Sequence, residues 1–265
     1  MNIIVCIKQV PGTSEVEIDE KTGVLKRSGV DSKMNPYDLY ALETALRIRE
    51  KEGGTVKVIS MGPPQAEQVI REAYMMGADD GVLLTDQKFA GADVLATAYT
   101  LSQGIKKMGD FHLLICGKMS TDGDTAQVGP EVAEFLNIPH VSNVRKILSV
   151  YDEEVITVEM DMSETVEIQE VLFPCLITVE KDIYTPRLPS FKLKLRTMDK
   201  KVHRFGLKDL EDQNRYHYGL NGSPTQVLKV FPPPKKDVNE VWRGSGDELG
   251  KRLAEKLKEL KFIQE

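Results

Sequence analysis

The sequence predicts an α/β protein in which a mostly parallel, twisted sheet carries helices on both faces. Short apolar runs rich in β-branched residues, such as Ile3 to Val10 and Val56 to Met61, are typical of strands buried on both faces. Segments of helical periodicity separate these runs through the first half of the chain, and Gly or Pro marks their ends. Strands that alternate with helices form βαβ units, which give a parallel sheet.

The first half of the chain divides into well-marked elements. The first strand, Ile3 to Val10, stops at a Pro-Gly pair, and residues 16 to 27 are predicted to form a small hairpin. Asn35 is a good N-cap for the first helix, and Gly53 ends that helix. The elements that follow are strand Val56 to Met61, helix Gln65 to Met76, strand Gly81 to Thr85, a helix from the N-cap Asp93 to Met108, strand Phe111 to Cys116 and helix Gly129 to Leu136.

The pattern changes from about Val141. The runs VITVEMD, TVEIQEV and LFPCLITVEK are typical of strands joined by short turns, which predicts antiparallel or mixed additions to the sheet. Pro and basic residues follow Asp182, and no long regular element is predicted before the amphipathic helix Gly246 to Lys261. A tail of this kind either wraps a partner or packs on its own domain, and both possibilities stay open at this point.

Composition argues against several classes of protein. The 265 residues include 35 Lys or Arg and 41 Asp or Glu, and the net charge of −6 argues against nucleic acid as the main partner. The 3 Cys lie in apolar runs without a CxxC motif, so we expect reduced core thiols and no iron–sulfur or zinc site in this chain. Apolar runs fall far short of the roughly 20 residues of a membrane span, and no signal segment is recognisable at the start. These features predict a cytoplasmic protein without a membrane span.

The most distinctive candidate site is the loop from Gly117 to Val128, which is rich in Gly, Ser and Thr and lies between a strand and a helix. Ligands of open α/β sheets bind beyond the carboxyl ends of the strands, and backbone N–H groups at a helix start can hold phosphate. The loop has neither the GxxxxGK[ST] nor the GxGxxG pattern. Asp122 and Asp124 leave three interpretations open: nucleotide binding, helix capping, or a metal pair. Asn35 and Asp93 could equally be helix caps without any ligand.

Other chemistry finds little support. The four His residues have no metal-ligand spacing, and no Ser–His–Asp or Cys–His arrangement is evident, so covalent catalysis by side chains is unsupported. The basic stretch from Lys192 to Arg204 lacks interleaved aromatic residues, which favours a solvated or partner-facing segment over a nucleic-acid site.

Four segments together resemble the small (beta) subunit of electron transfer flavoproteins: IIVCIKQVP, MNPYDLYALETAL, ISMGPPQAEQVIREAYMMGADDGVLL and LLICGKMSTDGDTAQVGPEVAEFL. The resemblance covers essentially the whole chain. It implies a nucleotide-binding α/β domain of the Rossmann-like, adenine-nucleotide-binding type over residues 1–190. It also implies a C-terminal arm and helix over 191–265 that embraces a larger alpha subunit carrying a second FAD. The implied nucleotide contacts are Cys6, Asn35, Pro36, Tyr37, Asp38, Met61, Gly117, Lys118, Met119, Ser120, Thr121, Asp122, Gly123, Asp124, Thr125, Ala126, Gln127 and Val128.

This family has two branches. In one, the beta subunit holds AMP as a structural nucleotide; in the other it holds FAD, which accepts hydride from NADH and bifurcates the electrons. The forms NPYD, FAGAD and STDGDTAQVGPE resemble the FAD-containing, anaerobe-type branch, which would place Asp93 and Thr97 near the flavin ring. One electron would then reach ferredoxin, and the other would pass through the alpha-subunit FAD to an acyl-CoA or hydroxyacid dehydrogenase. NAD would be a transient substrate.

The resemblance also implies a dehydrogenase-docking loop near residues 183–200, anchored by a Leu before a Pro, here Leu188 and Pro189. The surrounding residues depart from the pattern of the mitochondrial proteins, which leaves the identity of the dehydrogenase open. Two alternatives accompany this reading: a non-bifurcating beta subunit with AMP, and a stand-alone adenine-nucleotide-binding module, which would leave the tail unexplained.

Overall fold

A nine-stranded sheet organises the computed structural model, which describes residues 1–12, 32–152, 154–228 and 240–263. The strands are β1 Asn2–Cys6, β2 Gln9–Pro11, β3 Ser32–Met34, β4 Thr55–Met61, β5 Asp80–Leu84, β6 Leu113–Gly117, β7 His140–Tyr151, β8 Val155–Asp161, β9 Val166–Leu172, β10 Cys175–Val179 and β11 His203–Phe205. The helices are α1 Pro36–Glu52, α2 Glu67–Met76, α3 Val94–Met108, α4 Val128–Leu136, α5 Phe191–Arg196 and α6 Gly246–Glu259. The predicted hairpin at 16–27 lies outside the described residues.

The strand order in the main sheet is β11-β5-β4-β1-β6-β10-β7-β8-β9. Every neighbouring pair from β11 to β7 is parallel, and the pairs β7-β8 and β8-β9 are antiparallel. β2 and β3 form a separate antiparallel pair. The predicted fold class, a mostly parallel sheet with antiparallel additions, is therefore confirmed.

Helices cover both faces of the parallel part, as predicted. Along β1, Ile3 and Val5 pack in the core beneath α1 and α2, whereas Ile4 and Cys6 pack in the core beneath α3 and α4. This period of two is the geometry of a strand, and burial on both faces explains why the strand reads as a continuous apolar run. All three cysteines are buried and free, as expected.

Two strand predictions need correction. The run Ile3 to Val10 is not one strand, because the sheet strand ends at Cys6 and the chain turns away to form β2. The reason lies at Lys8, whose N–H donates to the Asp38 carboxylate and whose carbonyl accepts from the Asn35 N–H. The run LFPCLITVEK is likewise interrupted, since β9 ends at Leu172 and β10 begins at Cys175 as a parallel partner of β6.

Part of the C-terminal region packs on its own domain, which is one of the two arrangements that the sequence left open. β11 adds a parallel strand beside β5, and the completely buried Tyr218 packs in the core under α3, so this part rests on the α/β sheet. By contrast, α6 has no buried residue. The division of the chain at residue 190 stays a prediction. Among the described residues, no helix has the length and apolar character needed to cross a membrane.

Candidate functional site

The topological switch point of the sheet lies between β1 and β6. β4 and β5 follow β1 on one side, whereas β6 and β10 lie on the other, so the carboxyl ends of β1 and β6 are where open α/β sheets bind their ligands, and we call this edge the crevice. Cys6 and Cys116 are register partners at these two ends. The predicted site residues Cys6, Met61 and Gly117 are the last residues of β1, β4 and β6. The structure therefore brings them to the same edge of the sheet.

Asn35 links the start of α1 to the loop after β6. Its side chain does not cap the helix, which corrects the capping interpretation. Instead, its Nδ2 donates to the Met119 carbonyl at 2.9 Å and to Asp38 Oδ1 at 2.9 Å, and its Oδ1 accepts from the Thr121 N–H at 3.2 Å. Asn35 is only 1% exposed, so this amide acts as a buried bridge between two segments.

Asp38 is a buried carboxylate at the same junction. Its Oδ2 accepts from the backbone N–H of Lys8 at 2.7 Å, and its Oδ1 accepts from Asn35. Burial raises the pKa of Asp38 to about 7, whereas the hydrogen bonds from Asn35 and Lys8, and the Lys8 charge, act in the opposite direction. The carboxylate accepts from the backbone of Lys8, beyond the end of β1, and from the backbone of Gly117, at the end of β6. Asp38 therefore joins the ends of both strands to α1.

Gly117 allows α1 to lie directly against the end of β6. A Cβ at this position would come within 2.5 Å of Asp38 Oδ1 and 2.7 Å of the Tyr37 carbonyl carbon, distances that no real Cβ tolerates. Pro36 occupies the first helical position and fixes the start of this helix. The start of α1 is therefore in close contact with the end of β6.

We expect Gly117→Ala to push α1 away from β6, because the nearest atoms belong to backbone and to a hydrogen-bonded carboxylate. The free energy of unfolding should fall by about 1–3 kcal/mol, the usual cost of overpacking. Gly123→Ala is the matched control, since its Cβ would meet only the Ser120 hydroxyl at 3.4 Å. Chemical denaturation of the two variants measures the difference, and equal stability of both would contradict the proposed contact.

The loop after β6 is held at its mouth by a cation that the sequence analysis missed. Lys8 Nζ donates to the two carboxylate oxygens of Asp122 at 2.7 and 2.9 Å and to the Ser120 hydroxyl at 3.3 Å. This ion pair offsets the negative charge of Asp122 beside the candidate phosphate site. The available signal in the sequence was a cationic residue within the mostly apolar run Ile3 to Val10. The neighbouring Lys118 instead pairs with Glu180 at 2.5 Å.

Backbone geometry makes the rest of this loop a candidate anion site. Asp124 and Ala126 have positive φ angles of 49° and 55°, and residues 121–127 are exposed up to the start of α4. Within the described ranges, the N–H groups of Thr125, Ala126 and Gln127 donate to no protein acceptor. Successive N–H groups in such a conformation form a concavity that suits phosphate oxygens, and the positive end of α4 adds to it.

Asp93 does cap α3, as the sequence predicted. Its Oδ1 accepts from the Ala96 N–H at 3.0 Å, and its Oδ2 accepts from the N–H and hydroxyl of Thr225 at 3.0 and 2.7 Å. Burial alone would raise the pKa of Asp93, but these hydrogen bonds hold it below its usual range. Thr97 lies in the first turn of α3 and is half-buried. Asp93 therefore ties the C-terminal region to the crevice edge.

Glu131, in the first turn of α4, is a second residue that the sequence analysis missed. Its Oε2 is buried and has no hydrogen-bond donor among the described residues. Burial raises the pKa of Glu131, and the charge of Asp93 adds to this effect. An acidic residue in a first helical turn looks ordinary in sequence, which is why it gave no signal. An acceptor without a donor at this position suits a ligand that carries hydroxyl groups.

The residues present fit a nucleotide that bears phosphates. Free backbone N–H groups can meet the phosphates, the absence of a side chain at Gly117 lets α1 lie close to the end of β6, and Glu131 can accept from sugar hydroxyls. The metal alternative has less support, because no group of three His, Cys, Asp or Glu side chains in the described part of the chain is placed to hold an ion.

Leu188 and Pro189 lie away from the crevice. Leu188 is 86% exposed, and the preceding Arg187 is hydrogen-bonded to Glu43 and Glu50 on α1. The segment therefore belongs to the surface of the first helical layer. The structure separates it from the nucleotide-site residues, so the two sets of predicted residues form two distinct regions.

Comparison with known proteins gives consistent matches. The model of the electron transfer flavoprotein domain matches residues 22–210. The electron transfer flavoprotein subunit beta of Thermoanaerobacterium thermosaccharolyticum is 47% identical over 97% of this chain and 98% of its own length. The subunit CarD of the caffeyl-CoA reductase-Etf complex of Acetobacterium woodii is 43% identical over 99% and 100%. Protein FixA of Bradyrhizobium diazoefficiens is 41% identical over 89% and 84%.

Proposed function

Because this chain belongs to the beta-subunit family of electron transfer flavoproteins, we propose that it carries FAD in the crevice between β1 and β6 and works in electron transfer. The observation that best supports this proposal is the loop after β6, with its free N–H groups beside the start of α4. Family membership argues against a stand-alone nucleotide-binding module.

The proposed roles follow the geometry of the crevice. The adenosine part would lie along Asn35 to Asp38 and Met61, where α1 and β4 meet the opening. The pyrophosphate would be held by backbone amides between Thr121 and Val128, with Lys8 and Asp122 fixing the loop. Cys6 and Gly117 would form the floor, and Asp93 and Thr97 would lie near the flavin ring.

FAD, when bound, would accept a hydride from NADH and release the electrons singly, one to ferredoxin and one to the flavin of an alpha subunit. The protein would position the nucleotide and shield it from water. The exposed helix α6 is our candidate contact with the alpha subunit, and Leu188 and Pro189 are our candidates for docking an acyl-CoA or hydroxyacid dehydrogenase. The name of the CarD relative, which is a subunit of a reductase complex, supports such an assembly. We place the complex in the cytoplasm.

The alternative within the family is a beta subunit with AMP as a structural nucleotide and no bifurcation. The same loop could hold an AMP phosphate, so the loop geometry supports both nucleotides. The motif forms NPYD, FAGAD and STDGDTAQVGPE favour FAD. The two cases differ in colour, in stoichiometry and in the response to NADH.

Extraction of the nucleotides from the heterodimer decides between FAD and AMP. We expect two FAD and no AMP per heterodimer by mass spectrometry after denaturation. We also expect NADH to bleach part of the flavin absorbance of the intact complex. One FAD with one AMP per heterodimer, and no bleaching by NADH, would contradict the bifurcation proposal.

A further inference from the structure

Arg187 connects the segment before Leu188 to two carboxylates on α1. Its Nε donates to Glu43 Oε2 at 2.8 Å, and its Nη2 donates to Glu43 Oε1 at 3.2 Å. On its other side, Nη1 donates to Glu50 Oε1 at 2.6 Å and Nη2 to Glu50 Oε2 at 3.2 Å. The planar guanidinium thus meets both carboxylates in a two-pronged geometry that Lys cannot reproduce.

Glu43 makes this contact more than a surface ion pair. Its side chain is only 2% exposed, and it accepts from Arg187 and from Arg47, at 2.8 Å in each case. Burial alone would raise the pKa of Glu43, but the hydrogen bonds from both guanidinium groups hold it below its usual range. A buried carboxylate with two partners fixes their positions, because leaving it unpaired is costly.

The backbone on both sides of Leu188 is also fastened. The Arg187 N–H donates to Glu43 Oε2 at 3.1 Å, and the Ser190 N–H donates to the Met75 carbonyl at 2.8 Å. Upstream, the Arg47 guanidinium lies 4.6 Å from the centre of the Tyr184 ring. Leu188 itself is 86% exposed, so an apolar side chain projects into solvent from a backbone held at both ends.

We propose that Arg187 is a positioning residue, which holds Leu188 and Pro189 in the orientation that a partner dehydrogenase meets. The inference rests on the proposed docking function. α1 begins at the crevice with Asn35 and carries Glu43 and Glu50 further along, so one helix fixes the docking segment relative to the nucleotide site. Preorganisation of this kind lowers the entropy lost on binding, and its removal weakens docking more than it slows the reaction.

The test compares Arg187→Lys and Arg187→Gln with Leu188→Ala, all in the complex with the alpha subunit. Arg187→Lys loses the two-pronged geometry but keeps a cation beside the buried Glu43. We therefore expect this variant to fold. Arg145→Lys is the control, because Arg145 forms a similar pair with Glu159 at 2.6 Å in the antiparallel part of the sheet. The electron acceptor is an acyl-CoA dehydrogenase that the wild-type complex reduces. Hydrogen–deuterium exchange of the amides at 185–190 gives a second readout.

For Arg187→Lys we expect the KM for the dehydrogenase to rise by about 5- to 10-fold, with kcat and flavin content within about 2-fold of wild type. Exchange at the Arg187 and Ser190 amides should become at least about 10-fold faster. Arg187→Gln should show larger changes in the same direction, and Arg145→Lys none.

Each other outcome is decisive. If Leu188→Ala raises KM but both Arg187 variants leave KM and exchange unchanged, the positioning role is wrong and the docking function stands. If the Arg187 variants lower kcat or flavin content as much as they raise KM, Arg187 is merely structural and the inference fails. If Leu188→Ala also leaves KM unchanged, or the complex reduces no such dehydrogenase, the docking function itself fails.

Discussion

Replacing Asn35 with Ala is expected to release the nucleotide and to lower the free energy of unfolding by about 2–4 kcal/mol, since the buried Asp38 carboxylate and two backbone groups of the loop after β6 each lose a hydrogen-bond partner. The amide is 1% exposed and bonds to Asp38, Met119 and Thr121. Ala cannot replace these bonds. The loop after β6 would then no longer be fixed against the start of α1.

The control must separate loss of the site from loss of stability. Ile156→Ala removes a fully buried side chain from β8, in the antiparallel part of the sheet, and should cost a similar 2–4 kcal/mol or so. Thermal unfolding compares the stabilities, and mass spectrometry of the purified complexes measures the retained nucleotide. We expect only Asn35→Ala to lose it. Equal nucleotide content in the two variants would show that Asn35 is not part of the site.

The fold could be predicted because its signals are local. Continuous apolar runs, helical spacing and terminal Gly residues specify strands and helices within windows of about ten residues. β11 was missed because His203–Phe205 is only three residues long and carries two cationic or polar side chains, so it has no strand pattern. Its place beside β5 depends on tertiary contacts that a short window cannot contain.

The sequence predicted that the candidate site residues lie at one edge of the sheet, but it did not predict their hydrogen bonds. The rule that ligands bind at strand ends selected that edge, and it could not assign the bonds of each side chain. Asn35 looked like a cap because capping is local, whereas its acceptor Met119 lies 84 residues away. Lys8 and Asp122 are separated by 114 residues, so their pairing is invisible in either segment alone.

Charged substitutions on the apolar stripe of α6 are expected to abolish assembly with the alpha subunit without affecting this chain alone. Leu253→Asp with Leu257→Asp places two charges where the proposed interface would bury two leucines. Affinity should fall at least about 100-fold, or roughly 3 kcal/mol. Because no residue of α6 is buried within the chain, its own unfolding free energy should change by less than about 0.5 kcal/mol.

We expect the leucine substitutions to abolish assembly because α6, within this chain, lacks the packing that a helix of its length requires. A helix of 14 residues is marginal in water, even with the capping box formed by Ser245 and Glu248. Leu253 and Leu260 are 52% and 53% exposed, so the apolar stripe still needs a surface to cover it.

Lys251→Ala with Lys258→Ala is the matched control, because it changes the net charge equally on the opposite face. Co-purification and calorimetric titration with the alpha subunit measure assembly. If the leucine variant assembles as tightly as this control, α6 does not embrace the partner.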